Sequence, residues 1–114
     1  MASKTISFRI FRNDQLVDTR SFTQEVIKLG RLSSSHLLLD DPGIGRMHAV
    51  IEVGAGGDVR LVDLGSSAGT RLNGLLVDRN HALRSGDRVE LGGYRLELAI
   101  ADALPATTRA RAVA

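Results

Sequence analysis

The residues of this chain with the most chemistry to offer are a few arginines, serines and threonines, and they stand in short glycine-rich stretches. Gly30-Arg31 opens the series. Asp40-Asp41-Pro42, Gly45-Arg46-Met47-His48-Ala49, Ser66-Ser67-Ala68-Gly69-Thr70 and Asn73-Gly74 follow in that order. Arg31 comes after an apolar segment and a glycine that permits a sharp exit, so it presents a planar fork of donors at the base of a loop. Such a fork suits phosphate, which carries about −1.5 to −2 charge near neutral pH. The plainer use of the same arginine is an ion pair with a surface Asp or Glu.

Other chemistry finds little support. The chain has no cysteine, which removes disulfides, thiolate metal sites and cysteine nucleophiles together. His36, His48 and His81 lack metal-ligand spacing. Gly54-Ala55-Gly56-Gly57 leads into a strand, whereas a phosphate-cradling loop leads into a helix and carries a lysine. Gly65-Ser66-Ser67-Ala68-Gly69 has the letters of a Gly-x-Ser-x-Gly elbow, but such an elbow turns a strand into a helix, and the sequence shows no long helix. Asp40 and Asp41 could hold a cation, but Asp-Asp-Pro at a turn is more simply a device for bonding backbone. The expectation is a protein that is no enzyme, with no catalytic residue, no metal site and no cofactor.

The elements that must position these loops read as strands. Ile6, Phe8 and Ile10 alternate with Ser7 and Arg9 across Thr5–Phe11. Asn13-Asp14 is a turn, and Gln15–Asp18 and Glu25–Leu29 are further strands. Ala49, Ile51 and Val53 share a face, and Gly54 to Asp58 then reverses the chain into Val59–Leu64. Asn73-Gly74, between Arg71-Leu72 and Leu75-Leu76-Val77, is a strong hairpin signal, because a tight primed turn needs positive φ at both central residues. Ser85-Gly86-Asp87 precedes Val89 and Leu91, and Tyr94, Leu96, Leu98 and Ile100 alternate in a last strand. Many short strands joined by glycine-rich turns make an all-β sandwich or barrel.

The 114 residues fit one domain, and with 43% hydrophobic residues but only 4% aromatic, its core must be built mainly from Leu, Val and Ile. The domain is expected over residues 1–100. Residues 101–114, rich in Ala and Arg, are expected to be a flexible tail or linker, in which Thr107 and Thr108 beside Arg109 are candidates for phosphorylation and docking into a neighbouring molecule. No apolar run is long enough to span a bilayer and no secretory region opens the chain, which points to the cytoplasm and away from membranes. Nucleic-acid binding is the rival class. Net charge is only +2, charges of both signs are interspersed, and few aromatics are available for stacking, so no nucleic acid is expected.

The order and spacing of the loop motifs resemble the forkhead-associated (FHA) family, over roughly residues 5 to 100. Ser85-Gly86-Asp87 and Leu91-Gly92 match the family's closing signature. The resemblance implies a β-sandwich of two antiparallel sheets, with loops at one end that recognise phosphothreonine in a partner protein. By that resemblance Arg31 and Ser67 hold phosphate, and Arg46 touches the peptide or the neighbouring loop. Gly30, His48, Gly69, Thr70, Asn73 and Gly74 then keep the loops in shape.

Two positions depart from the family. Gly45 stands where it has a serine whose hydroxyl bonds the phosphate, so only the Gly45 backbone N–H could donate. Ala68 stands where it has an asparagine that bonds the peptide backbone. Losing one hydrogen bond to a charged group and one neutral one would cost about 2.5–4 kcal/mol, roughly a hundred- to a thousandfold in affinity. Ser33, Ser34 and Ser35 are candidate substitutes, and His36 is expected to be a solvated loop residue.

The sequence therefore predicts an adaptor-like protein-interaction module. It binds its partner without phosphate, or with weak dependence on a threonine phosphorylated by a Ser/Thr kinase. The alternative is a working phosphothreonine site built from Arg31, Ser67 and Ser33–Ser35. Self-association is a further use of the same fold.

Overall fold

Alternating apolar residues build two sheets that close face to face. The computed structural model describes residues 4–102, in which eleven strands follow in chain order: β1 (Lys4–Arg12), β2 (Gln15–Phe22), β3 (Val26–Gly30), β4 (Leu37–Leu38), β5 (Ala49–Val53), β6 (Val59–Asp63), β7 (Arg71–Leu72), β8 (Leu75–Leu76), β9 (Asn80–Ala82), β10 (Arg88–Leu91) and β11 (Tyr94–Asp102). One sheet has the order β2-β1-β11-β10-β7-β8 and the other β4-β3-β5-β6-β9. Ile6, Phe8, Ile10, Val89, Leu96 and Leu98 of the first pack against Ile27, Leu29, Ile51, Val59 and Leu61 of the second, all buried. The fold is an all-β sandwich.

The turns follow from residue type. Asn13 and Asp14 join β1 to β2 with φ of 53 and 62, and Asn73 and Gly74 join β7 to β8 with φ of 51 and 88. Both pairs have the left-handed geometry that matches the twist of a tight hairpin. Asn73 is fixed further: its Oδ1 accepts from the Arg88 N–H at 2.8 Å and its Nδ2 donates to Asp87 at 3.0 Å.

Three differences from the sequence reading have physical causes. The sheets are not wholly antiparallel, because β3 and β4 pair in parallel, Leu29 beside Leu37 and Gly30 beside Leu38. Parallel neighbours ordinarily need a long crossover. Here β4 is two residues long, and a turn closed by the Ser35 N–H on the Leu32 carbonyl (2.9 Å) suffices. Strand β2 runs on past Asp18 to Phe22, whose buried ring meets Phe8 edge to face at 5.9 Å. Strand β11 takes in Ala101 and Asp102, with Lys4 bonded to Asp102 at 2.6 Å. The rest of the expected tail, Thr107 and Thr108 included, lies outside the described residues. Among the described residues no helix is long and apolar enough to cross a membrane.

Candidate functional site

Three loops meet at one end of the second sheet: the one after β3, the one before β5 and the one after β6. The register of β3 against β5 brings the first two together, and backbone bonds continue the pairing past the strands. Arg31 N–H donates to the Gly45 carbonyl and Leu32 N–H to the Arg46 carbonyl, both at 3.2 Å, while His48 N–H donates to the Leu29 carbonyl at 3.0 Å. Gly30 sits at the crossing. A Cβ there would run into the Arg46 carbonyl, so the approach of the two loops requires glycine.

His48 is the inner brace. Its ring is wholly buried. Nδ1 accepts from the Gly45 N–H at 3.0 Å, which fixes the proton on the other nitrogen, and Nε2 donates to the Gly69 carbonyl at 2.9 Å. One side chain thus joins the loop before β5 to the loop after β6. The Leu64 N–H adds a bond to the His48 carbonyl at 3.0 Å. This geometry corrects one expectation: the Gly45 N–H is occupied by His48 and is not directed at a ligand.

The loop after β6 is organised by Asp63, which sequence reasoning did not single out. Its Oδ1 accepts from Ser66 Oγ at 2.7 Å and from Thr70 Oγ1 at 2.9 Å, and its Oδ2 accepts from the Gly65 N–H at 3.1 Å. Ser66 Oγ in turn accepts from the Gly69 N–H at 3.1 Å. Burial pushes the Asp63 carboxyl up. The bonds from Ser66, Thr70 and Gly65 outweigh it and hold the carboxyl below its usual range. The signal lay in Asp63-Leu64-Gly65-Ser66, an Asp followed two residues later by Gly, which is the pattern of a side chain bonding its own turn.

With Ser66 and Thr70 tied inward, Ser67 and Ala68 are left exposed at the loop's crest. Ser67 has no hydrogen-bond partner among the described residues. Beside Ala68 lies a shallow hollow of about 270 Å³, lined also by Gly69, Arg71, Glu90, Leu91 and Gly92. Arg31 is held at its neck, its Nε donating to the Ile44 carbonyl at 2.6 Å. Among the described residues its terminal nitrogens bond nothing and pair with no carboxylate. Arg46 is exposed and unpaired in the same sense.

Other residues from the sequence reading lie apart from this cluster. Ser33 and Ser34 are exposed on the turn between Leu32 and Ser35, with no bond to the other two loops among the described residues. Asn73 is bonded toward β10, and Gly74 follows it in the β7–β8 turn. His36 is not a solvated loop residue. It is half-buried, meets Phe22 edge to face at 5.9 Å, and its Nδ1 accepts from the Lys28 N–H at 3.0 Å. No three His, Asp or Glu side chains converge into a metal-holding group among the described residues.

Residues 27–92 match the family model for the FHA domain. That span is more than half of the 114 residues, and the chain belongs to the FHA domain family. A relative is the glycogen accumulation regulator GarA of Mycolicibacterium smegmatis. It is 38% identical over 73 residues, which cover 64% of this chain and 45% of that protein, so the chain spans less than half the length of this relative.

Solved structures agree. One FHA domain, from a structural and functional analysis of phosphothreonine-dependent FHA domain interactions, is 25% identical with a TM-score of 0.73, covering 89% of this chain and 98% of that one. The FhaA FHA domain complexed with the intracellular domain of Rv3910 is 26% identical with a TM-score of 0.71, covering 82% and 98%.

Proposed function

We propose that this chain is a non-catalytic module that captures a partner protein through the loops carrying Arg31, Arg46 and Ser67, with little or no dependence on phosphothreonine. The observation that carries this reading is the state of the two departing positions. The Gly45 N–H is spent on His48 Nδ1, and Ala68 offers a methyl group at an exposed crest. A phosphate set on this surface would meet Arg31 and Ser67 without the hydroxyl and amide that the family resemblance places beside them. The partner is a protein in the cytoplasm, with another copy of this chain among the candidates. Neither nucleic acid nor a membrane is part of the reading.

One observation favours the alternative, a working phosphothreonine site. Arg31 is pinned through Nε to the Ile44 carbonyl, which leaves both terminal nitrogens aimed from a fixed neck and free of any carboxylate among the described residues. That is the preorganised fork a phosphate needs. The solved FHA domain from phosphothreonine-dependent interactions lends this alternative its chemistry. In it Ser33 and Ser34 close over the ligand from the neighbouring turn.

A titration separates the two. The domain is measured against a degenerate phosphothreonine peptide library, against the unphosphorylated library, and with Arg31→Ala. The proposal expects no difference between the libraries. Binding that requires both the phosphate and Arg31 would replace it with the alternative.

A further inference from the structure

Strand β2 is the longest unpaired edge among the described residues. It pairs with β1 on one side only. Its residues from Gln15 to Ser21 are all exposed, on both faces. A groove of about 440 Å³ runs beside it, with Val17, Asp18 and Arg20 on one wall and His36 and Leu38 on the other. Val17 and Leu38 are each 55% exposed, so this edge has apolar surface as well as free backbone.

We infer that this edge pairs with β2 of a second copy, antiparallel, about a two-fold axis at Thr19. The charges of the strand select both the occupant and the register. A two-fold axis perpendicular to the sheet preserves its faces, so residues that meet across the axis must share a face. Asp18 and Arg20 do, since they lie beside Ile10 and Phe8 of β1, whose side chains point the same way. With Asp18 on the axis, two carboxylates would face each other. With Arg20 on the axis, two guanidinium groups would. With Thr19 on the axis, Asp18 of each copy faces Arg20 of the other, twice. Opposite charges directly across a strand pair attract, and like charges there repel.

The monomer is prepared for this exchange. Neither Asp18 nor Arg20 is in an ion pair among the described residues. The Thr19 N–H, at the proposed axis, donates to Asp18 Oδ1 at 2.8 Å. In the pair it would donate to the Thr19 carbonyl of the second copy, and the Asp18 carboxylate would turn to Arg20 of that copy. The register shift between Ile10 and Phe11, which leaves Val17 as a bulge, blunts the edge. Bulges and charged residues turned to the inner face guard edge strands against indiscriminate pairing. Here the same charges leave one pairing open, which is a second strand of identical sequence.

The test is sedimentation of the full chain over a range of concentrations. A dimer that forms reversibly with concentration is expected. Asp18→Arg alone and Arg20→Asp alone should each weaken it by at least about tenfold, and the two together should restore it, because the swap recreates both attractions. These positions are exposed, so circular dichroism should show the fold unchanged. The native chain has no cysteine, so Thr19→Cys places a single thiol beside the axis, and a short bis-maleimide reagent should join two copies. Glu52→Cys, an exposed position on the other sheet, should not be joined. A monomer at every concentration overturns the inference, and so does a dimer indifferent to the charge swaps.

Discussion

The amide of Gly45 and the ring of His48 are joined by a hydrogen bond of 3.0 Å, yet a Cβ on Gly45 would meet nothing tighter than 3.7 Å. The glycine is therefore not imposed by packing. Gly30, by contrast, is forced by the Arg46 carbonyl. Two glycines in adjoining loops thus have different causes, one steric and one open to change by substitution.

His48→Ala is expected to destabilise the domain by about 2–4 kcal/mol. The change removes two buried hydrogen bonds and leaves a void where the ring was. It also frees the loop after β6 from the loop before β5. Urea denaturation gives the loss. Amide exchange at Gly45 and around Gly69 should rise well above that of the core strands.

Asp63 makes stability depend on acid pH. Its folded carboxyl is held below its usual range by the bonds from Ser66, Thr70 and Gly65. A group with a depressed folded pKa contributes stability that is fully present above the unfolded value, near about 3.9, and is lost as pH falls through the folded value. Thermal midpoints should therefore fall below about pH 4. Asp63→Asn should flatten that fall and lower stability at neutral pH by about 2 kcal/mol, since an NH2 replaces an acceptor facing two hydroxyls or an amide. Identical pH profiles for the two proteins would remove Asp63 as the group responsible.

The sandwich was legible because most strands are neighbours joined by hairpins whose turn chemistry is local. Asn73-Gly74 and the alternation of Ile6, Phe8 and Ile10 needed no partner to be read. Strands β4 and β9 were missed because each is only two or three residues long, too short to show an alternation, and is defined by a single ladder, Leu37 on Leu29 and His81 on Leu61. The loops of the site were placed by resemblance. The bonds inside them were not, because Asp63 works through three donors and Arg31 through the carbonyl of Ile44, thirteen residues away. The Arg31 contact exists only once two loops have been brought together, whereas the Asp63 bonds lie within one loop, where the spacing of Asp63 and Gly65 was the signal to read.

Gly30→Ala should show how tightly the first two loops depend on each other. The added methyl meets backbone, which cannot swing aside as a side chain would. Overpacking of this kind costs about 1–3 kcal/mol. The bonds from Arg31 N–H to Gly45 and from Leu32 N–H to Arg46 should lengthen first. Amide chemical shifts at Arg31 and Leu32 would move while those of β10 and β11 stay in place. A uniform shift across both sheets would mean that the strain spreads through the core instead.

Gly45→Ser combined with Ala68→Asn is the direct test of why phosphate should matter little here. The Gly45 position accepts a side chain at ordinary contact distances, and Ala68 is exposed beside an open hollow, so the double variant should fold with unchanged stability. It adds one donor for a charged group and one amide for the peptide backbone. On the proposed function its affinity for phosphothreonine peptides should rise by about a hundred- to a thousandfold over the native chain, with the unphosphorylated peptides unaffected. Arg31→Ala in that background should abolish the gain, because the new hydroxyl and amide act on a phosphate that Arg31 anchors. A double variant that is folded but still indifferent to phosphate would show that these two residues are not the cause. The search would then move to the turn of Ser33 and Ser34, which among the described residues has no bond to the other two loops.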